Sequence, residues 1–323
     1  MLTVTLCPSL DVAAAVPVVQ PERKLRCGEP VLRAGGGGIN VARAALRLGQ
    51  PATALFPAGG SSGEQLCALA RADGVSIVVL PIVEPTRQNL SITETSSGRL
   101  YRFVFPGPPL DARELERCAE EVVRLARAEH HVVFSGLLPT DCPGTYLPEL
   151  IAAVRREGSD VIVDTSGDAL AKAATAGTAL LKPSVNELCQ FAGRPLATHV
   201  DCEAAARKLL ALGDNEAVLV SLAAAGALLV QRERCTVWIH APSVRAISAV
   251  GAGDAMVAGV VVGLERGWSL PDSARLGVAA GTATVLTESP DLLRPVDVET
   301  LLPLVRATDG DDLDEARGRR FDR

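Results

Sequence analysis

From Asp111 onward, short apolar runs alternate with longer amphipathic ones, and this alternation constrains the fold more than any other feature. Helical patterns cover Asp111 to Ala128, Cys142 to Glu157, Ala169 to Ala176, Glu187 to Phe191 and Asp201 to Leu212. Strand-like runs fall between and after them, at His131 to Ser135, Val161 to Asp164, Ala179 to Leu181, Ala217 to Ser221, Ala227 to Gln231 and Thr236 to His240. A strand that feeds a helix returns to its sheet as a parallel neighbour, with the helices packed on both faces. The expected class is therefore α/β, with a mainly parallel sheet between two helical layers.

The N-terminal part fits the same scheme. Leu2 to Leu6 reads as a buried strand and Val12 to Val19 as a further one. Ala52 to Phe56 and Val75 to Leu80 are strands, with a helix over Gly63 to Asp73. Gln88 to Thr95 and Arg99 to Phe105 flank Ser96-Ser97-Gly98 as a β-hairpin, a candidate lid or oligomer edge. The last helices are Ser273 to Leu286 and Val296 to Val305. Beyond Ala307 the chain is charged and nearly free of apolar residues, as in a disordered tail.

Two glycine-rich stretches point to chemistry. In Ser248-Ala249-Val250-Gly251-Ala252-Gly253-Asp254-Ala255-Met256, a strand-like run from Val244 to Val250 leads in and a small-residue helix leaves. Glycines there let the backbone turn tightly and present N–H groups at a helix N-terminus, where negative charge is favoured. A carboxylate at such a point needs a task, and accepting a proton from an attacking hydroxyl is one. The alternative is a plain joint with Asp254 as N-cap. The second stretch, Gly35-Gly36-Gly37-Gly38-Ile39-Asn40, runs into a helix over Val41 to Gly49. Such glycines suit close approach of backbone to a ligand; a flexible linker is the alternative. Asp11, at a strand end, is placed to meet a ligand, or is a turn carboxylate. Lys24 and Arg26 have period-two spacing and share a face if extended. Arg87 and Arg102 bracket the hairpin, where solvated surface charge is the plain reading.

Composition removes several classes. At 323 residues the chain suits one large domain or two smaller ones. A net charge of −6 and a pI near 5.4 argue against a nucleic-acid binder. Eight cysteines form no C-x-x-C pair and no zinc spacing, so reduced thiols in a cytoplasmic protein are expected. The four histidines do not cluster. There is no signal-peptide pattern and no membrane-spanning run.

Taken in order, Gly36-Gly37-Gly38-Ile39-Asn40-Val41-Ala42 and Gly251-Ala252-Gly253-Asp254 resemble the two motifs of the ribokinase-like (PfkB) carbohydrate kinases. Pro8-Ser9-Leu10-Asp11, Lys24-Leu25-Arg26-Cys27, Phe56 to Gly60, Thr86-Arg87-Gln88-Asn89-Leu90, Tyr101-Arg102-Phe103, Val163 to Gly167 and Gly277 to Gly281 are similar to one branch, the ATP-dependent 6-phosphofructokinases of ribokinase type. The likeness covers nearly the whole chain apart from the tail. It implies a three-layer α/β/α core over 1–11, 34–86 and 106–307, a β lid and homodimer clasp over 12–33 and 87–105, and a tail over 308–323.

The same resemblance implies roles. Asp254 would be the base, with Gly251, Ala252 and Gly253 donating to the transferring phosphoryl group. Asp11, Gly36, Gly37 and Asn40 would hold sugar hydroxyls, and Ser135 would line that pocket. Lys24, Arg26, Arg87 and Arg102 would meet the phosphate already on the substrate, some of them from a neighbouring subunit; a free sugar would need no such cations. Lys182, Ser184, Ser221, Gly226, Ser248, Val250 and Thr282 would lie along ATP, and Glu187 would hold Mg²⁺ through water. The implied reaction is phosphorylation of the C1 hydroxyl of fructose 6-phosphate. Tagatose 6-phosphate and fructose 1-phosphate are alternative substrates, and a sugar-phosphate sensor is an alternative of another class. A dehydrogenase is disfavoured because Gly35 to Gly38 is not G-x-G-x-x-G. The chain departs from the family at Ser184, where an Asn is usual, at Ala223, where an extra Cβ opposes a positive φ, and at Ala249, where a hydroxyl residue is usual.

Overall fold

The structure, a computed structural model, describes residues 1–287 and 292–309. The chain opens with β1 (Leu2–Val4), β2 (Ser9–Val16), β3 (Val31–Gly35), α1 (Gly37–Arg47), β4 (Thr53–Ala58), α2 (Gly60–Ala72), β5 (Ser76–Pro81), β6 (Gln88–Glu94) and β7 (Leu100–Phe103). The alternating part follows as α3 (Ala112–Ala126), β8 (His131–Ser135), α4 (Tyr146–Arg156), β9 (Asp160–Asp164), α5 (Asp168–Thr175), β10 (Leu180–Leu181), α6 (Val185–Ala192), α7 (His199–Leu210) and β11 (Ala217–Ser221). It closes with β12 (Gly226–Gln231), β13 (Val237–His240), α8 (Ala252–Glu265), α9 (Leu270–Thr284), α10 (Pro295–Leu301) and β14 (Arg306–Asp309).

Ten strands form one sheet in the order β14-β13-β12-β11-β10-β9-β8-β1-β4-β5. Pairing is parallel from β11 to β5 and antiparallel from β11 to β14. The period of two explains the layers. Val132 and Phe134 of β8 face a core with α3, α4 and α7, while Val133 between them faces a second core with α1, α8 and α9. In β9, Val161 and Val163 face the first core and Ile162 the second. The expected three-layer α/β class is observed.

A separate four-stranded sheet, β3-β2-β6-β7, contains the expected hairpin of β6 and β7. Its first strand starts at Ser9, not at Val12, so Asp11 lies inside β2 rather than at the end of β1. Residues 17–30 contain no strand, and Lys24 and Arg26 therefore do not share a strand face as their spacing suggested. Two further expectations change. Residues 241–250 form no strand, because Ile247 and Ser248 N–H donate to the Val285 carbonyl at the end of α9 instead of to a sheet neighbour. Thr308 and Asp309, read as tail, belong to β14, which pairs with β13; the rest of the expected tail, 310–323, lies outside the described residues. Among the described residues no helix is long and apolar enough to cross a membrane.

Candidate active site

The carboxyl ends of β8, β9 and β10 and the N-termini of α1 and α8 meet at one place. At α8 the N-cap is Gly251, with φ of 81°, a left-handed conformation that favours glycine. Asp254 stands in the first turn and is not the N-cap of the plain reading. Its Oδ2 accepts instead from Asn40 Nδ2–H at 2.9 Å, across from α1. Ala252 N–H makes a long 3.4 Å contact to the Ala249 carbonyl, while the Asp254 carboxylate is held by Asn40 and does not cap the helix start, where N–H groups favour an anion.

Lys182, at the end of β10, is buried and pairs through Nζ with Asp164 Oδ1 at 3.0 Å. A Cβ built on Gly253 would lie 3.3 Å from the same Nζ. An ammonium and a helix N-terminus therefore bear on one point. Burial, then the charge of Asp164, pushes Asp254 up to about 7, with Asp11 adding to the rise and Asn40 and Lys182 opposing it. Burial opposes the charge on Lys182, but the carboxylates of Asp164, Glu187 and Asp254 outweigh it and hold its pKa above the usual lysine value. The site therefore holds a carboxyl that titrates near neutrality beside a fixed cation. Sequence reasoning assigned no role to Asp164; a carboxylate ending the apolar run Val161-Ile162-Val163 was the available signal.

Gly36 is the N-cap of α1, and Gly37 approaches β8 so closely that a Cβ there would collide with Ser135 Oγ. Ser135 is buried opposite Asp164 in the β8–β9 register. Gly36, Gly37, Asn40 and Ser135 are thus brought together with Asp254. Asp11 reaches this region from β2: its Oδ1 accepts from Ser9 Oγ–H at 2.7 Å and from Asn89 Nδ2–H at 3.1 Å.

Of the four cations assigned to the substrate phosphate, one is held by backbone carbonyls and three face solvent. Arg87 donates to three backbone carbonyls, those of Cys7 (3.0 Å), Pro8 (3.3 Å) and Phe105 (2.8 Å). It laces together the segments where the small sheet joins the core. Lys24, Arg26 and Arg102 are exposed.

On the other side of Gly253 opens a cleft of about 470 Å³. Ser184, Asn186, Ser221, Ala223, Gly226, Ala249 and Thr282 line it, with apolar walls from Val244, Met256, Val278 and Val285. Ser248 and Val250 do not. Ser248 Oγ accepts from Val250 N–H at 3.3 Å, and the lining role in this segment falls to Ala246 and Ala249. The Thr282 hydroxyl is engaged with the Val278 carbonyl at 2.8 Å. A cleft of this size, apolar along its walls with an anion-binding helix end at one side, fits a nucleoside triphosphate.

Two of the departures from the family pattern can be read in the local structure. Ser184 is the N-cap of α6 and shares a capping box with Glu187: Glu187 N–H donates to Ser184 Oγ at 3.3 Å, and Ser184 N–H donates to Glu187 Oε2 at 2.7 Å. Ser and Asn are equivalent N-caps, so the exchange preserves the helix start. Ala223 adopts φ of 50°, the positive value that its Cβ opposes. As for metal, no cluster of three or more His, Cys, Asp or Glu side chains able to hold an ion exists among the described residues. A donor set of one or two carboxylates fits Mg²⁺, which takes its remaining ligands from water and phosphate.

The sequence model for pfkB family carbohydrate kinases matches residues 5–295. An ATP-dependent 6-phosphofructokinase isozyme 2 of Mycobacterium tuberculosis (strain CDC 1551) is 44% identical over 304 residues, covering 94% of this chain and 89% of that one. The Escherichia coli K12 protein of the same description is 41% identical over 300 residues, covering 93% and 96%. The crystal structure of phosphofructokinase-2 from Escherichia coli in complex with fructose-6-phosphate superposes with a TM-score of 0.87 at 39% identity, covering 94% of this chain and 98% of that one.

Proposed function

The chain belongs to the pfkB family of carbohydrate kinases, and from that premise we propose that it transfers the γ-phosphoryl group of ATP to the C1 hydroxyl of fructose 6-phosphate. The products are fructose 1,6-bisphosphate and ADP. The observation that carries this reading is Asp254: a buried carboxyl with a pKa of about 7, held by Asn40 beside the α8 N-terminus. Such a group accepts a proton from an attacking hydroxyl at neutral pH.

Position in the site supports these roles. Asp254 takes the C1 hydroxyl proton as the oxygen attacks the γ-phosphorus and the bond to the leaving ADP oxygen breaks. The N–H groups of Ala252 and Gly253, behind the Gly251 turn, and the Lys182 ammonium neutralise charge on the moving phosphoryl group. Asp11, Gly36, Gly37, Asn40 and Ser135 orient the sugar. Ser184, Ser221, Gly226 and Thr282 flank the nucleotide. Glu187 would hold Mg²⁺ through water, and the ion would supply charge neutralisation for the nucleotide phosphates.

The small sheet β3-β2-β6-β7, with the segment over 17–30, acts as lid and dimer clasp. Exposed Leu25, Val31, Leu100 and Phe103 give it an apolar surface suited to a second copy. Lys24, Arg26 and Arg102 meet the substrate 6-phosphate when the lids pair, while Arg87 serves the lid root. The chain's eight scattered cysteines, with no C-x-x-C pair, suit a reducing, cytoplasmic setting.

The test is ADP release with Mg·ATP and fructose 6-phosphate, tagatose 6-phosphate, fructose 1-phosphate or free fructose. The expected result is preference for fructose 6-phosphate, with turnover lost in Asp254→Asn. Preference for another sugar, or full turnover in Asp254→Asn, overturns the substrate or the base respectively.

A further inference from the structure

Asp11 reaches the site from the small sheet, and its carboxylate is gripped before any ligand arrives. Ser9 Oγ–H and Asn89 Nδ2–H both donate to Asp11 Oδ1, at 2.7 and 3.1 Å. The Asn89 amide also donates to Ser9 Oγ at 2.9 Å, closing a three-membered polar ring. Asp11 and Asn89 are direct partners in the parallel β2–β6 ladder, and Ser9 is two residues before Asp11 on the same face. With Oδ1 doubly engaged, the carboxylate has one orientation and one oxygen left for a ligand. It fills the space that a side chain at Gly35 would take, so β3 leaves room for it.

The other end of the amide is used as well. Phe105 N–H donates to Asn89 Oδ1 at 3.2 Å, and the Phe105 carbonyl accepts from Arg87 at 2.8 Å. Phe105 is where the chain leaves the small sheet for the core. Asn89 thus links the direction of Asp11 to the root of that sheet. Packing alone does not call for an amide here, since Asn89 and Asp11 are only half-buried and neither belongs to a hydrophobic core.

We infer that Asn89, with Ser9, is a positioning residue for the sugar phosphate: it holds Asp11 by Oδ1 so that Oδ2 meets the sugar hydroxyls, and it couples that orientation to the lid root. This rests on the role given to Asp11 above. A lost hydrogen bond to a charged group corresponds to roughly a tenfold change in affinity or more.

The experiment is a double-mutant cycle with Asp11→Asn and Asn89→Ala, run with whichever sugar phosphate the wild-type enzyme turns over best. A different preferred sugar therefore revises the substrate without touching this inference. Each single variant is expected to raise the sugar-phosphate KM about tenfold while the Mg·ATP KM moves less than about twofold, and the double variant is expected to be no worse than the poorer single one. Losses that multiply, an Mg·ATP KM that rises in step, or an Asp11→Asn enzyme with unchanged sugar-phosphate KM overturn it. If Asn89→Ala fails to fold, Ser9→Ala carries the cycle. It removes a donor to Oδ1 without touching Phe105, and additivity with Asp11→Asn is again the overturning result.

Discussion

Asp254 illustrates how much one side chain owes to its surroundings. An aspartate with an ordinary value of 3.8 is moved to about 7, first by burial and then by its carboxylate neighbours. As the proposed base it must be ionised, so kcat/KM is expected to fall below about pH 7 with a slope of one, and a pH–rate profile checks this. The same shift sets a stability trend. The folded state binds this proton more tightly than the unfolded chain, so stability is full below about pH 4 and is lost as pH rises through about 7. Asp254→Asn removes that loss. The variant is expected to melt above the wild type at pH 8, with the gap closing toward pH 4; equal melting at pH 8 would count against the shift. Ala223 carries a smaller strain. A non-glycine residue in the left-handed region costs about 1–2 kcal/mol, offset in part by glycine's greater unfolded freedom. Ala223→Gly is expected to raise the unfolding free energy by about 0.5–1 kcal/mol in urea titrations, with the cleft preserved.

At the scale of elements, the pair α8 and α9 sets the anion site. Both are rich in small residues, and they pack backbone to backbone: a Cβ on Gly259 would lie 2.7 Å from the Leu276 carbonyl oxygen and 2.8 Å from Gly277 Cα. Neither neighbour is a flexible side-chain end, so one helix must move. Gly259→Ala is expected to destabilise by about 1–3 kcal/mol, as overpacking does, and to lower kcat because α8 carries Gly253 and Asp254 at its start. Circular dichroism melts and turnover measured on the same preparation check both; an unchanged kcat would separate the helix contact from the site. The capping box of α6 is the opposite kind of element. Ser184 and Glu187 satisfy the helix start locally, which is why the departure from the family's Asn leaves the local fold intact.

For the whole molecule, the small sheet carries the exposed apolar edge on which the proposed dimer rests. Phe103 on the edge strand β7 is 51% exposed, beside exposed Leu100 and Val104. Exposed apolar surface on an unpaired edge invites a second copy. Phe103→Asp is expected to abolish self-association in sedimentation experiments and to raise the sugar-phosphate KM, while the Mg·ATP KM stays put because the nucleotide cleft lies elsewhere. A variant that still self-associates would move the proposed interface away from this sheet.

The sequence by itself determined what depends on near neighbours. The periods of two and 3.6, the glycine turns at Gly36 and Gly251, and the hairpin around Gly98 are local, and these elements stand where they were expected, whereas the run over 244–250 and the start of β14 do not. The pairing of Gly36–Asn40 with Gly251–Asp254 was legible only through family resemblance. Only the tertiary structure decided which groups meet. Asn40 and Asp254 are 214 positions apart, and no spacing rule brings them to 2.9 Å. Arg87 illustrates the same limit, since a guanidinium binds whatever acceptors the fold presents, and here those are three backbone carbonyls. The run before Gly251 docks on the end of α9 instead of joining the sheet, and from it Ala246 and Ala249 line the cleft. Backbone periodicity is encoded residue by residue, whereas a polar side chain's partner is fixed by distant segments that compete for the same hydrogen bonds.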